Sequence, residues 1–276
     1  MQVSGRKFGT ISMFIALVFN PGYVLHMLQQ PAHAQHKLAA PISQTESFPI
    51  ILYHHIRPIT SDMSQLAQGL SVTPDAFEAQ LLYLKSSGYQ SMRLSDFATN
   101  LSHGKMPDKY SFALTFDDGY QDFYTYAWPL LKRYGFHATL FVIINRVGTP
   151  DYVTWDQIKE LNRSGLVAIE SHTLNHPMLG KLPSNKARYE IEQSKSILEQ
   201  KLGHPISIFC YPYGNYTPEI ATLVQQAGYT AAVSTKGGVL HSRHSLFELR
   251  RMRLSTSDTG SVLKRKISYL FGQKTP

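Results

Sequence analysis

Short apolar runs alternate with helix-like stretches along most of the chain, and this alternation constrains the fold more than any other feature. No glycine-rich dinucleotide fingerprint follows the first apolar run, which disfavours an open nucleotide-binding sheet. The sequence therefore predicts an α/β protein, a single domain built as a distorted (β/α) barrel of about seven strands. Predicted strands include 49–53, 111–116, 138–144, 166–170, 206–211 and 230–234, with helices at 73–87, 122–134, 154–164, 185–202 and 218–227.

The first residues have the organisation of an export signal. Arg6 and Lys7 precede a mostly apolar run, and Ala32-His33-Ala34 offers a small-x-small cleavage site. We predict a signal peptide at 1–34, a polar linker at 35–48 and the folded domain at 49–276. An uncleaved membrane anchor is the alternative, but Asn20-Pro21-Gly22 interrupts the apolar run, which favours cleavage. The expected location is secreted, periplasmic or associated with the cell envelope.

The net charge of the chain by itself excludes few classes of binding partner. Lys and Arg number 27 against 19 Asp and Glu, a net charge of +8. The basic residues are scattered apart from 250–253 and 264–266, and no nucleic-acid motif accompanies them, so we expect no nucleic-acid partner. Attraction to an anionic cell envelope suits this charge better, with peripheral or no membrane association after signal removal.

Two polar motifs follow apolar strands and together predict a metal site. Asp117 and Asp118 end the strand 111–116, and His172 and His176 lie four residues apart after the strand 166–170. One carboxylate and two imidazoles give three protein ligands and leave a coordination position open, as catalytic metal sites require. The other carboxylate is then available as a general base. A helix-capping turn and two unrelated histidines are the alternatives.

Two further segments end strands and complete the candidate site. In Tyr211-Pro212-Tyr213-Gly214, the backbone N–H of Tyr213 is a candidate oxyanion donor and the aromatic rings a candidate sugar-binding wall, although a plain β-turn is the alternative. In the other segment, one histidine of the pair His54-His55, as imidazolium, is a candidate acid for a leaving amine. Simple packing is the alternative for this pair. The single cysteine, Cys210, excludes an intramolecular disulfide and a cysteine-based zinc site.

The motifs TFDDGY (115–120), SHTLNH (171–176) and YPYG (211–214), in this order, resemble the polysaccharide deacetylase family, the NodB-homology carbohydrate esterases of family 4, over 49–255. The resemblance implies that Asp117 is the base and that Asp118, His172 and His176 hold one divalent cation, with zinc expected and cobalt, nickel or iron as alternatives. It also implies that the protein hydrolyses N-acetyl groups of an N-acetylglucosamine-containing polysaccharide and releases acetate. An O-acetyl glycan esterase and a non-catalytic sugar-binding protein are the alternatives.

The chain departs from the family pattern at one position, because many members carry an arginine where Cys210 stands. The segment 53–56 resembles a permuted branch that includes exported poly-N-acetylglucosamine deacetylases, which implies His54 as the general acid. The late histidines His241 and His244 are the alternatives.

The same branch has a late arginine-bearing strand, which the segment 249–254 resembles. The resemblance implies that this strand supplies the missing arginine. Arg251 and Arg253 share one face of it, and we favour Arg251.

Overall fold

The computed structural model describes residues 46–271, so the predicted signal segment 1–34 lies outside the described residues. The strands are Glu46–Ser47 (β1), Ile50–Tyr53 (β2), His55–Ile56 (β3), Ser71–Val72 (β4), Gln90–Ser91 (β5), Ser111–Phe116 (β6), Ala138–Val142 (β7), Val167–Ser171 (β8), Ile208–Cys210 (β9), Ala231–Gly237 (β10), Leu240–His241 (β11) and Leu249–Arg253 (β12). The α-helices are Gln65–Gly69 (α1), Pro74–Ser86 (α2), Leu94–Ser102 (α3), Trp128–Tyr134 (α4), Trp155–Arg163 (α5), Ser184–Leu202 (α6), Pro218–Gln226 (α7) and Gly260–Leu270 (α8). A π-helical turn, Phe123–Ala127, leads directly into α4.

Seven parallel strands close into a barrel. Hydrogen bonds join them in the order β2, β12, β10, β9, β8, β7 and β6, and β6 pairs back onto β2. The short strand β5 pairs with β6 outside this ring. The single-domain (β/α) barrel predicted from the sequence is therefore confirmed.

The barrel is irregular on one side. Strands β8 and β9 pair at one position, Ser171 with Phe209. The register between β10 and β12 shifts between Val233 and Gly237. In the described chain, the connection from β10 to β12 contains β11 and the 3₁₀ segment Arg243–Glu248 in place of an α-helix. These features make the barrel a distorted one.

The side chains of β6 alternate between the outer face of the barrel wall, which packs against the helices, and its inner face. Phe112, Leu114 and Phe116 belong to the core between the barrel and its helices, whereas Ala113 belongs to a second cluster. Because successive side chains of a strand point to opposite faces, the residue after the strand, Asp117, shares the direction of Ala113. The strand thus delivers this carboxylate to the mouth of the barrel.

Helix α3 packs against that second cluster. Its apolar residues recur at helical spacing, and Phe97 stacks on Phe48 with ring centroids 3.8 Å apart. The same cluster contains inward residues of β6, β7, β9, β10 and β12 and residue Ile50 of β2. We infer that α3 closes the end of the barrel at which the strands begin, which leaves the carboxyl ends of the strands for a site. The helix residues in this cluster are Leu94, Phe97, Ala98 and Leu101.

The C-terminal stretch, which the sequence left without a role, forms α8 in the described part. Its residues Leu263, Ile267 and Leu270 are buried and belong to the main core. At the other end, β1 pairs with β11 and Phe48 is buried, while the boundary placed at residue 49 stays a prediction. Among residues 46–271, no helix combines the length and apolar character needed to cross a membrane.

Candidate metal and catalytic site

Three buried or half-buried ligand atoms converge at the mouth of the barrel. The Nε2 atoms of His172 and His176 lie 3.3 and 3.4 Å from Oδ1 of Asp118, and 3.2 Å from each other. A tetrahedral zinc ion with bonds of about 2.1 Å separates its ligand atoms by about 3.4 Å. The spacing of the three predicted ligands therefore fits one divalent cation.

The hydrogen bonds around these residues support the same fit. Nδ1 of His172 donates to the carbonyl oxygen of Cys210 at 2.8 Å, which orients the ring so that Nε2 faces Asp118. Oδ1 of Asp118 is buried and has no hydrogen-bond partner within residues 46–271. Burial, followed by the neighbouring His172, lowers the pKa of His176 to about 4, so its imidazole is neutral at pH 7. Burial would lower the pKa of His172, but the neighbouring Cys210 and the carboxylates of Asp118 and Asp117 outweigh burial and raise it, so a bound cation would have to displace a proton from this ligand.

Backbone strain and one buried carboxylate shape the loop that carries the histidines. Thr173 and His176 have positive φ angles of 69° and 60°. Glu190 of α6 accepts from the backbone N–H groups of Leu174 and Asn175 at 3.0 and 2.9 Å, and from the Asn175 side chain at 2.7 Å. These bonds stabilise a loop conformation that is unfavourable for residues other than glycine and that aims both imidazoles at one point.

Asp117 and Arg251 form a buried, bidentate ion pair. Both Nη atoms of Arg251 donate to the carboxylate oxygens of Asp117 at 2.7 Å, and each residue is 2% exposed. The guanidinium also donates to Oγ1 of Thr115, to the carbonyl oxygen of Ser234 and to Sγ of Cys210. All five of its N–H groups thus have an acceptor. Burial raises the pKa of Asp117, but the charge and hydrogen bonds of Arg251 outweigh burial and hold the pKa below its ordinary value.

Cys210 has a place in this network that the sequence did not indicate. Its thiol donates to Oδ2 of Asp117 at 3.6 Å, and Sγ lies 3.3 Å from Nη2 of Arg251. Burial raises the pKa of the thiol, which keeps it protonated and able to donate. Cys210 ends β9 and Arg251 lies on β12, so the two side chains reach Asp117 from different strands of the barrel.

The two histidines of the early pair have different surroundings. Nδ1 of His55 lies 2.6 Å from Oδ2 of Asp122, and its ring stacks on Tyr120 at 3.8 Å, so His55 is held in packing contacts. His54 lines the same cavity as the metal-ligand candidates, and its Nδ1 is buried with no hydrogen-bond partner in the described chain. Burial lowers the pKa of His54, which favours the neutral imidazole over the imidazolium expected from the sequence.

The YPYG turn contributes one residue to the cavity. Tyr213 has a φ of 59°, and its 58% exposed ring lies 4.5 Å from that of His176. Tyr211 and Pro212, predicted to contact substrate, are buried beneath the turn, and the Tyr211 hydroxyl donates to the carbonyl oxygen of Phe247. A Cβ at Gly214 would overlap the adjacent strand β10, so a glycine is required there.

The late histidines lie away from this centre. His241 is 1% exposed, packs against Phe97 and contacts the carbonyl oxygen of Phe48 through Nε2. His244 is next to Arg243 on the 3₁₀ segment before β12. Neither residue lines the cavity that contains His54.

The site opens into a cavity of about 580 Å³, a size typical of ligand sites. Its wall includes several residues for which the sequence predicted no role in the site. Most of them follow the carboxyl ends of strands, and that position is the signal that could have found them. They are Leu66, Leu70, Tyr120, Ile143, Arg146, Tyr152, Asn175 and Thr235.

Comparisons with known proteins agree with the motifs. Residues 104–232 match the family model for polysaccharide deacetylase. YxkH of Bacillus subtilis, which is named for this family, is 33% identical over 214 residues, 78% of this chain and 74% of that protein. The poly-beta-1,6-N-acetyl-D-glucosamine N-deacetylase of Staphylococcus aureus is 26% identical over 217 residues, 73% of this chain and 74% of that protein.

A solved structure shows the same fold. The Streptococcus pyogenes deacetylase PplD, in complex with acetate, aligns with a TM-score of 0.74 and 30% identity over 80% of this chain and 98% of that chain. The sequence matches extend over most of both proteins and include the motifs that build the site. This chain therefore belongs to the polysaccharide deacetylase family.

Proposed function

We propose that the protein is a metal-dependent deacetylase that removes N-acetyl groups from an N-acetylglucosamine-containing polysaccharide and releases acetate. The observation that carries this proposal is the convergence of three ligand atoms beside a carboxylate that is kept ionised. Asp118, His172 and His176 would hold the cation, which we expect to be zinc, with cobalt, nickel and iron as alternatives. When bound, such a cation polarises a carbonyl group and acidifies water.

Asp117 is suited to accept a proton from the attacking water. Its lowered pKa leaves the carboxylate ionised at neutral pH, and Arg251 fixes both oxygens in one orientation. A base whose position is set by a bidentate partner needs little rearrangement when the substrate arrives. Arg251 therefore acts as a positioning residue for the base.

His54 and Tyr213 are the two remaining groups of the proposed mechanism, and both line the cavity. The unpartnered Nδ1 of His54 supports its assignment as the group that protonates the departing amine, in preference to His55, whose Nδ1 is paired. Because the neutral imidazole is favoured in the free protein, His54 would have to take up a proton before the amine departs. In the turn beside His176, the backbone hydrogen bonds come from Gly214 and Asn215, which supports the N–H of Tyr213 as a donor to the developing oxyanion. The exposed Tyr213 ring would form part of the sugar-binding wall.

The proposed substrate and location rest on the relatives and on the N-terminal sequence. The Staphylococcus aureus relative is named for a β-1,6-linked N-acetylglucosamine polymer. The predicted signal segment 1–34 supports a secreted, periplasmic or envelope-associated enzyme. An acetylated polysaccharide is the proposed partner, without nucleic acid.

The proposal is tested by acetate release from β-1,6- and β-1,4-linked N-acetylglucosamine oligomers by the purified full-length chain. Release that disappears with a chelator, returns with added metal and is lost in Asp117→Asn is the expected result. Bound metal without release from either oligomer would reject de-N-acetylation. Oligomers with O-acetyl groups, assayed in parallel, would then separate an esterase from a protein that only binds sugar.

A further inference from the structure

Two arginines at the rim of the catalytic cavity lack an acidic partner. Arg146 and Arg253 both line the cavity, and neither has a carboxylate within 4.0 Å among residues 46–271. Arg253 is carried by β12 on the same face as Arg251, so the strand itself points it toward the site. Arg146 ends the 3₁₀ segment after β7, and its guanidinium lies 5.8 Å from the ring of Tyr152.

The barrel topology puts these two arginines on opposite sides of the centre. Around the closed ring, β12 and β7 are three steps apart through β2 and β6, and four steps apart through β10, β9 and β8. The ligand candidates Asp118 and His172 follow β6 and β8, the two neighbours of β7 in the ring. A polymer that crosses the mouth from β7 to β12 therefore passes the catalytic centre between two guanidinium groups.

The charges inside the cavity leave those two groups uncompensated. The acidic residues in its wall are Asp117 and Asp118. Asp117 is neutralised by Arg251 in the bidentate pair, and Asp118 is assigned to the cation. The remaining charge of the wall is positive, and an N-acetylated amino-sugar chain, which is neutral, has no net charge to be attracted by it.

We propose that the substrate is an anionic glycan, with a carboxylate or phosphate group on the sugars that flank the acetylated residue, recognised by Arg146 and Arg253. This inference rests on the proposed deacetylase function and narrows its substrate class. A guanidinium binds a carboxylate or a phosphate through paired N–H groups, so Arg146 and Arg253 could recognise either anion in the same way.

The test compares kcat/KM for acetate release by the full-length protein from three oligomers of equal length. One is neutral N-acetylglucosamine, one alternates this sugar with a uronic acid, and one joins it through phosphodiester groups. At low salt an anionic oligomer is favoured over the neutral one, and the preference falls in 0.5 M NaCl because exposed charges are screened. Arg146→Gln and Arg253→Gln each reduce the preference by about fivefold. The exposed Arg163→Gln on α5 leaves it unchanged.

The outcomes separate this inference from the function on which it rests. Two results overturn the inference and leave the deacetylase in place. One is equal or faster release from the neutral oligomer, and the other is a preference for an anionic oligomer that survives when Arg146→Gln and Arg253→Gln are combined. No release from any of the three oligomers rejects the proposed function instead. A preference for the uronic acid or for the phosphodiester oligomer identifies the source of the charge.

Discussion

Replacing Arg251 by glutamine should strongly destabilise the protein at neutral pH. Arg251 and Asp117 are each 2% exposed and are joined by two hydrogen bonds of 2.7 Å. Removal of one partner leaves a buried carboxylate without a counter-charge, and breaking such a pair costs about 3–5 kcal/mol. Thr115, Ser234 and Cys210 also lose donors in this variant, so we expect a loss of that size in the free energy of unfolding.

The pH dependence of this loss follows from Asp117. In the wild type Arg251 outweighs burial and lowers the pKa of the carboxyl, whereas in the variant burial acts without this opposition and raises it. A lowered pKa stabilises the folded state above the unfolded carboxyl's pKa of about 3.9, and this contribution is lost as the pH falls through the folded-state pKa. The difference between wild type and variant should therefore be largest near pH 7 and shrink as the pH falls, first through the raised pKa of the variant and then through the lowered pKa of the wild type.

Urea denaturation of wild type and variant at pH 7 and at pH 4 measures this difference. A chelator is present so that metal binding does not contribute. Arg133 provides a control, because its ion pair with Glu78 is on the surface at 2.8 Å and is screened by solvent. Arg133→Gln should leave the midpoint almost unchanged. A loss below about 1 kcal/mol for Arg251→Gln at pH 7, or the same loss at both pH values, would refute the reasoning.

Other variants test the metal site and the turn. Glu190→Gln should weaken cobalt binding about tenfold in a spectroscopic titration, because it loosens the histidine loop. Glu192→Gln on the same helix should not weaken it, because Glu192 is half-buried and pairs with Arg188 instead of the loop. Zinc at one hundred times its Kd should add about 2.7 kcal/mol to the free energy of unfolding of the wild type. Asp118→Asn should show no such gain, and an equal gain would contradict its assignment as a ligand. Gly214→Ala should lower the Tm more than Gly135→Ala, because both have positive φ but only a Cβ at 214 overlaps a neighbour.

Much of the fold was predictable because its strands are short apolar runs with clear ends. The prediction 111–116 has the bounds of β6, and the helices 73–87 and 154–164 agree with α2 and α5 within one residue at each end. Helix α3 was missed although its apolar residues recur at helical spacing. Its N-cap, Arg93, gives no side-chain capping bond, so the usual start signal is absent. The helix predicted at 122–134 is π-helical over Phe123–Ala127 and α-helical from Trp128 to Tyr134, a difference that the spacing of apolar residues does not indicate.

The candidate site was predictable in its residue types and less so in its backbone. Strand ends and ligand chemistry pointed to the carboxylates and imidazoles that the structure brings together. The positive φ angles of Asp118, His176 and Tyr213 were not predictable, because residues other than glycine adopt them only where tertiary contacts impose them. The contact of Arg251 with Asp117 likewise depends on barrel closure, which joins residues 134 positions apart.

The position of β12 in the ring has a consequence for the order of folding. Among the strands within residues 46–271, β12 is the last to be synthesised, yet it lies between β10 and β2 and is needed to close the barrel. Pairings between distant parts of a chain form slowly, because the intervening loop must be ordered first. Asp117, the proposed base, therefore acquires its counter-charge only when β12 docks, so a chain without this strand has an open barrel and leaves this carboxylate without its buried partner. The proposed hydrolytic activity would in this way depend on completion of the fold.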